Sequence, residues 1–360
     1  MRAIVTAGGT GGHIYPAIAI INKIKQKEPN SEILYIGTHN RMEKDIIPSY
    51  DINYMALEVT GFKRSLSLSN VKTITNFFKA IKKAKKIISD FNPDIVIGVG
   101  GYVTAPVIYS AKKLGYKTFI HEQNSIPGLS NKFLSRYADK IGLSLPNSVK
   151  YFPKDKVIYT GNPCSEDALN KKVIDKREYG LMPDKKLVII VLGSLGSSIL
   201  NEQITRSLSL FNDKEYEVLY VTGKDYYEET IKKGKVPNNV KIVPYIDNLV
   251  RAIKVADLIV SRAGATTISE ITAVGIPSIL IPSPHVTNNH QMKNALELAN
   301  KQATIIIEEK DIKGDILVRT IDELFRDVNK YNMMKKNSKQ LGIKDSATKI
   351  YNILRDIIDR

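Results

Sequence analysis

Two short β-branched runs, one opening each half of the chain, end in glycine loops. Ile4-Val5-Thr6-Ala7 leads into Gly8-Gly9-Thr10-Gly11-Gly12, and residues 188–192 lead into Gly193-Ser194-Leu195-Gly196. Glycines at a strand-to-helix turn let backbone approach a ligand and aim N–H groups at it. The helix behind them adds partial positive charge, so such a turn suits phosphate. A strand feeding a helix through such a loop also constrains the fold around it. Further apolar runs at residues 32–36, 95–99, 118–121, 140–143 and 157–160 read as strands. A second series follows at 187–192, 217–222, 240–243, 258–261, 278–281 and 304–307. Helical patterns lie between them, as at 17–27 and 266–273. This alternation predicts α/β architecture, with parallel sheets covered by helices on both faces. A length of 360 residues suits two such domains. They are expected to be doubly wound and Rossmann-like, joined near Gly161-Asn162-Pro163, over residues 1–163 and 164–345. A last helix at about 346–360 has the periodicity to pack on either.

The phosphate compound is narrowed by what is missing. No G-x-x-x-x-G-K-[ST] occurs, which excludes a P-loop nucleotidase. The first loop has Ile14 where a dinucleotide fingerprint needs its third glycine. The second strand runs into Gly37-Thr38 rather than an acid, which also argues against NAD. No Asp-x-Asp pair is present, so a diphosphate is expected to rely on helix dipoles and basic groups, with neither metal nor cofactor. Two more loops qualify as ligand contacts: Gly98-Val99-Gly100-Gly101-Tyr102, and Arg262-Ala263-Gly264-Ala265-Thr266-Thr267 with Glu270 one turn on. A carboxylate there can accept both hydroxyls of a ribose. The amides of Asn288-Asn289-His290-Gln291 can bond a sugar.

His13 closes the first glycine loop and suits a general base or phosphate donor. His121 ends a strand beside Glu122-Gln123-Asn124, at the sheet edge where such folds bind ligands. No histidines have metal-site spacing. The single cysteine, Cys164, excludes a disulfide framework and a multi-thiolate zinc site, and fits a reducing compartment.

The formal charge is +16, and residues 1–165 hold 23 Lys/Arg against 11 Asp/Glu. Such an excess calls for an anionic partner. Its densest stretch lies between Glu58 and Asp90, where no acid occurs but Lys63, Arg64, Lys72, Lys79, Lys82, Lys83, Lys85 and Lys86 do. Residues 69–89 read as a helix with Ile74, Phe77, Phe78, Ile81, Ala84 and Ile88 at three- and four-residue steps. That pattern has two readings: a basic amphipathic helix on a membrane surface, or a domain helix with solvated lysines. No apolar run approaches the ~18 residues a span requires. Residues 3–7 read as a buried strand rather than a leader, so the expected location is cytosolic, at most peripherally bound.

Taken in order, several motifs resemble one family closely. They are Gly8 to His13, Gly37-Thr38 with Arg41-Met42-Glu43, Gly100-Gly101-Tyr102-Val103, and His121 to Asn124 followed by Pro127-Gly128-Leu129. Gly161-Asn162-Pro163, Arg262 to Ala265 with Ser269-Glu270, and His290-Gln291 with Asn294-Ala295 continue the series. The chain resembles the MurG family, the N-acetylglucosaminyltransferases of peptidoglycan synthesis.

The resemblance implies the B-type glycosyltransferase fold, two domains with a cleft between them and the final helix returning to the first. It implies inverting transfer of GlcNAc from UDP-GlcNAc to the C4 hydroxyl of MurNAc in lipid I, giving lipid II. By position, Ser194, Ala265, Thr266, Thr267 and Glu270 would meet the diphosphate and ribose, the Ile246 backbone the uracil, and Gln291 the sugar. Thr10, Gly11, Gly12 and Asn124 would reach the donor sugar from the first domain. The acceptor would lie near Gly9, His13, Gly100, Gly101, Tyr102, Thr104 and His121, with His13 as base or orienting group. A lipid-linked acceptor favours an anionic cytoplasmic membrane surface, and not nucleic acid, as partner of Lys72, Ile74, Phe77, Phe78, Lys79, Ile81, Lys82, Lys83 and Lys86. Two departures stand out. Ser165 occupies the family's usual arginine position, a donor-site contact, and Leu195 replaces its usual glutamine. Losing a bidentate cation there costs about 1.5–3 kcal/mol. The alternatives are a related B-type transferase with another acceptor, and a non-catalytic RNA- or membrane-binding protein. The second leaves the glycine loops unexplained and lacks aromatic RNP motifs.

Overall fold

The computed structural model describes residues 1–59, 69–193, 197–246 and 249–360, without the side chains of residues 69–72. Of the positions singled out above, Lys63, Arg64, Ser194, Leu195 and Gly196 lie outside the described residues, as does the side chain of Lys72. The chain forms two compact units, Met1–Glu166 with Asp345–Arg360, and Asp167–Lys344.

The first unit is built on seven parallel strands: β1 (Arg2–Thr6), β2 (Glu32–Thr38), β3 (Asn53–Leu57), β4 (Ile95–Gly98), β5 (Lys117–Glu122), β6 (Lys140–Leu143) and β7 (Val157–Tyr159). Their spatial order is β3-β2-β1-β4-β5-β6-β7. The second unit has β8 (Lys186–Val191), β9 (Tyr216–Val221), β10 (Val240–Val243), β11 (Leu258–Ser261), β12 (Ser278–Leu280) and β13 (Thr304–Ile306). These six parallel strands run β10-β9-β8-β11-β12-β13. The α/β expectation of two doubly wound sheets is met.

Both faces of each sheet are covered, which is why the strands are continuous Ile/Val runs. In β1, Ala3 and Val5 join Ile14, Ile18 and Ile21 of the helix Gly11–Lys27 on one face. Ile4 joins Ala84, Ile88 and Val107 on the other, from the helices Ser69–Phe91 and Thr104–Lys113. Each fully buried side chain of this size contributes about 1.5–3 kcal/mol of transfer free energy. The sequence did not disclose β3. It is an edge strand whose Asn53 and Met55 face water, so its apolar signal is thin.

Strand order reverses between β1 and β4, and again between β8 and β11. In open parallel sheets, ligands bind outside the carboxyl ends at such a reversal. The loops after these four strands are the glycine and small-residue loops of the sequence, so topology places all four at switch points.

The last helix, Ser346–Ile358, packs on the helix Gly11–Lys27, with Ile350, Leu354 and Ile357 in the same core cluster as Ile14 and Ile21. Polar contacts fix its start. Ser346 Oγ donates to the Asn162 carbonyl at 2.6 Å, and the Thr348 hydroxyl donates to Glu166 at 2.7 Å. Glu166 also pairs with Lys23 at 2.7 Å.

Candidate active site

In the first unit the loops after β1 and β4 lie against each other. Gly8 N–H donates to the Gly100 carbonyl at 3.1 Å. Gly100 and Gly101 have φ of +109° and +94°, and a Cβ on Gly101 would sit 2.3 Å from the Gly8 carbonyl oxygen. Only glycine permits both the backbone conformation and this approach. A Cβ on Gly100 would strike the His13 ring at 2.4 Å, so the imidazole lies directly over that glycine. Its Nδ1 is 3.2 Å from the Gly8 carbonyl oxygen. A carbonyl only accepts, so Nδ1 carries the hydrogen and Nε2 is the basic nitrogen.

Thr10 caps the helix Gly11–Lys27 with extended backbone, but its hydroxyl makes no capping bond and the residue is exposed. The first helical bonds run from His13 and Ile14 to the Thr10 carbonyl. The amides of Gly11 and Gly12 therefore head the helix, where partial positive charge concentrates. Tyr102, in the loop after β4, is exposed.

Three residues expected to face ligand are instead turned into the protein. His121 is fully buried, with Nε2 3.0 Å from the Gly161 carbonyl and Nδ1 accepting from Gln123 Nε2 at 3.0 Å. Burial depresses its pKa to about 4, so it is a neutral brace between β5 and the 161–163 turn. Thr104 is buried and its hydroxyl donates to the Gly101 carbonyl at 2.7 Å. Ser165, expected at the diphosphate, is buried in the first unit and bonds Asn162 and Ser346. Asn124 is partly accessible, its backbone N–H held by Glu122 at 3.0 Å.

In the second unit the helix Ala265–Val274 begins at Gly264, with no side-chain cap. Among the described residues, Thr266 Oγ1 is buried with no partner. Glu270, one turn on, makes no hydrogen bond among the described residues. Crowding by protein atoms, with the charge of Asp167 adding, pushes its carboxyl up to about 8. Thr267 is partly accessible and Ala265 nearly buried. Gln291 spends its carbonyl oxygen on Ser283 N–H at 2.8 Å and keeps its amide as a donor. The Ile246 side chain is buried in the core, so only its backbone is available to a ligand. Arg262 opens the loop expected to contact ligand, but its own side chain is used by the protein. Its guanidinium pairs with buried Glu309 and donates to Ser197 Oγ at 3.0 Å and to the Ile281 carbonyl at 3.1 Å. It therefore ties the segments after β8, β11, β12 and β13 together. Among the described residues no three His, Cys, Asp or Glu side chains gather as a metal site would require.

The helix Ser69–Phe91 divides its apolar residues. Ala80, Ala84, Ile87 and Ile88 pack on the sheet, Phe77 and Ile81 are half-buried, and Ile74 and Phe78 stand exposed. Lys79, Lys82 and Lys86 are exposed beside them, while Lys83 donates to the Ala56 carbonyl at 2.9 Å. Sequence patterning alone missed their neighbours. The helix Thr104–Lys113 packs against both Ser69–Phe91 and Leu129–Leu134. On the latter, Leu129 and Phe133 are exposed, and the Phe133 ring packs at a tilt against Tyr109 and Tyr137. Among the described residues no helix is long and apolar enough to cross a membrane.

Residues 3–143 match the glycosyltransferase family 28 N-terminal domain, and residues 187–350 match the family's C-terminal domain. The chain belongs to glycosyltransferase family 28. Curated members of the family align with it end to end. One from Bacillus cereus is 46% identical, covering 100% of both chains. It is named UDP-N-acetylglucosamine--N-acetylmuramyl-(pentapeptide) pyrophosphoryl-undecaprenol N-acetylglucosamine transferase 1. The Halalkalibacterium halodurans protein of the same enzyme name is 45% identical over 99% of both. The crystal structure of Acinetobacter baumannii MurG superimposes with a TM-score of 0.80 at 27% identity, covering 99% of each chain. The two parallel-sheet units are thus the B-type glycosyltransferase fold, and this family 28 member is a glycosyltransferase of the MurG group.

Proposed function

We propose that the chain transfers GlcNAc from UDP-GlcNAc to the C4 hydroxyl of MurNAc in lipid I, forming lipid II with inversion at C1. The observation that carries this is the end-to-end match to relatives named for that transfer, at 46% identity. The site residues support it. The acceptor oxygen attacks C1 of GlcNAc, the C1–O bond to UDP breaks, and the acceptor proton passes to His13 Nε2. The helix that starts at Gly264 receives the departing diphosphate at its N-terminus, with Thr266 Oγ1 as donor. Glu270 takes the ribose hydroxyls and the Gln291 amide a sugar oxygen. The acceptor sugar and diphosphate lie along Gly9, Gly100, Gly101 and Tyr102, and Thr10, Gly11, Gly12 and Asn124 reach the donor sugar. Ser165, Thr104 and His121 drop out of this set because the protein itself uses their polar atoms.

The same reading places the enzyme on the anionic cytoplasmic face of the membrane. Ile74, Phe78, Leu129 and Phe133 enter the interface, and Lys79, Lys82 and Lys86 meet headgroups at about 1 kcal/mol each.

The direct test is transfer of labelled GlcNAc to lipid I by the parent and by His13→Ala. The variant is expected to lose at least 100-fold in kcat while binding UDP-GlcNAc normally. Wild-type turnover by the variant would remove His13 as base, and no transfer by the parent would remove the acceptor assignment.

A further inference from the structure

The Gly37-Thr38 and Arg41-Met42-Glu43 segment has no part in the reaction described so far, yet it contains a carboxylate that is fully buried. Three donors converge on Glu43. Gly9 N–H reaches Oε2 at 3.0 Å, and Thr38 N–H and Oγ–H reach Oε1 at 3.2 and 2.6 Å. Two missing side chains make room for it. A Cβ on Gly8 would lie 2.5 Å from Oε1, and one on Gly37 would lie 2.8 Å from Glu43 Cγ. Tyr54 completes the brace by donating to the Thr38 carbonyl at 2.6 Å. The carboxylate thus links the end of β2 to the first glycine loop.

Which bond it makes to that loop is decisive. Gly9 N–H and the Gly8 carbonyl are the two ends of one planar peptide unit, and they point in opposite directions. Glu43 holds the N–H end, and His13 Nδ1 meets the carbonyl end at 3.2 Å. Gly9 has φ of +97°, and glycine on both sides of a peptide permits it to turn over. Turned over, the unit would offer His13 Nδ1 an N–H donor instead of an acceptor. The ring would then carry its hydrogen on Nε2 and lose its base there.

We propose that Glu43 is a positioning residue that selects the His13 tautomer through the Gly8–Gly9 peptide. This rests on the reading of His13 as the base. Glu43→Gln is nearly isosteric but must set an amide N–H against either Gly9 N–H or Thr38 N–H. In the full-length protein with ¹⁵N-labelled histidine, the parent should show His13 protonated at Nδ1. The variant should show a mixed or inverted tautomer, with kcat down 10- to 100-fold and KM for UDP-GlcNAc within 3-fold. On a His13→Ala background the substitution should add less than 3-fold. A parental tautomer and kcat in folded Glu43→Gln overturns the proposal. If His13→Ala alone turns over normally, the base assignment fails while the tautomer measurement still decides the role of Glu43. Should Glu43→Gln not fold, Glu43→Asp takes its place, being too short to span Gly9 and Thr38 together. A shifted tautomer with lowered kcat in Glu43→Asp supports the proposal, and parental values of both overturn it.

Discussion

At the switch point of the first unit the backbone is locked from several sides, whereas at that of the second unit polar groups are left waiting. Gly8, Gly100 and Gly101 interlock at distances that exclude any Cβ, and a buried carboxylate holds Gly9. The helix Ala265–Val274 opens with no side-chain cap, a partnerless Thr266 hydroxyl and a Glu270 carboxyl without a hydrogen bond among the described residues. A group that must move a proton needs its geometry set beforehand, because misplacement raises the barrier directly. A nucleotide subsite gains affinity when the ligand satisfies atoms the protein has left unsatisfied. The contrast matches a reacting site on one sheet and a binding site on the other.

Alanine in each glycine loop should break or confirm that contrast most strongly. Gly101→Ala places a Cβ 2.3 Å from backbone at positive φ, and strain there alone costs roughly 1–3 kcal/mol. We expect more than a 100-fold loss of turnover and a lowered Tm. Gly264→Ala has φ of −68° and meets nothing closer than 3.8 Å, so it should cost about 1 kcal/mol or less. Equal losses in the two variants, by turnover and calorimetry, would erase the distinction.

A smaller effect concerns pH. The Glu270 carboxyl rises from its ordinary 4.5 to about 8, so the folded state binds a proton that the unfolded state releases. Its contribution is undiminished below 4.5 and falls as pH climbs from there to about 8. Glu270→Gln should remove that slope and melt about 2–4 °C higher than the parent at pH 8. UDP affinity should drop 3- to 10-fold. A parallel Tm-against-pH curve in the variant would refute the assignment.

The smallest effect per residue lies on the first unit's surface. Replacing Lys79, Lys82 and Lys86 by Gln should weaken binding to phosphatidylglycerol vesicles at least 10-fold and leave UDP-GlcNAc binding intact. Adding Phe78→Ser and Leu129→Ser should abolish vesicle binding. Undiminished binding in the five-fold variant would assign the charge to solubility.

The sheets were legible because buried parallel strands are written as unbroken Ile/Val runs, which packing on both faces requires. The glycine loops were legible because close approach admits no other residue. His121 could have been read correctly. It lies in β5, a strand covered on both faces in which residues 118–122 are all buried, so either face would turn its ring into the protein. Glu43 was visible as a motif but not as a function, since its partners are backbone amides 34 and 5 residues away and amides leave no mark in a sequence. Leu129 and Phe133 read as ordinary apolar residues, and only the packing of their short helix turns them outward.

The helix Ser346–Ile358 makes the first unit discontinuous in the chain, with the whole second unit inserted before its last element. During synthesis, residues 167–344 therefore emerge complete while the core cluster that holds Ile14, Ile18 and Ile21 still lacks Ile350, Leu354 and Ile357. The second unit can finish folding on the ribosome, but the first must wait for residue 358 to leave the exit tunnel. The glycine loops after β1 and β4 thus belong to the unit whose last element is made last.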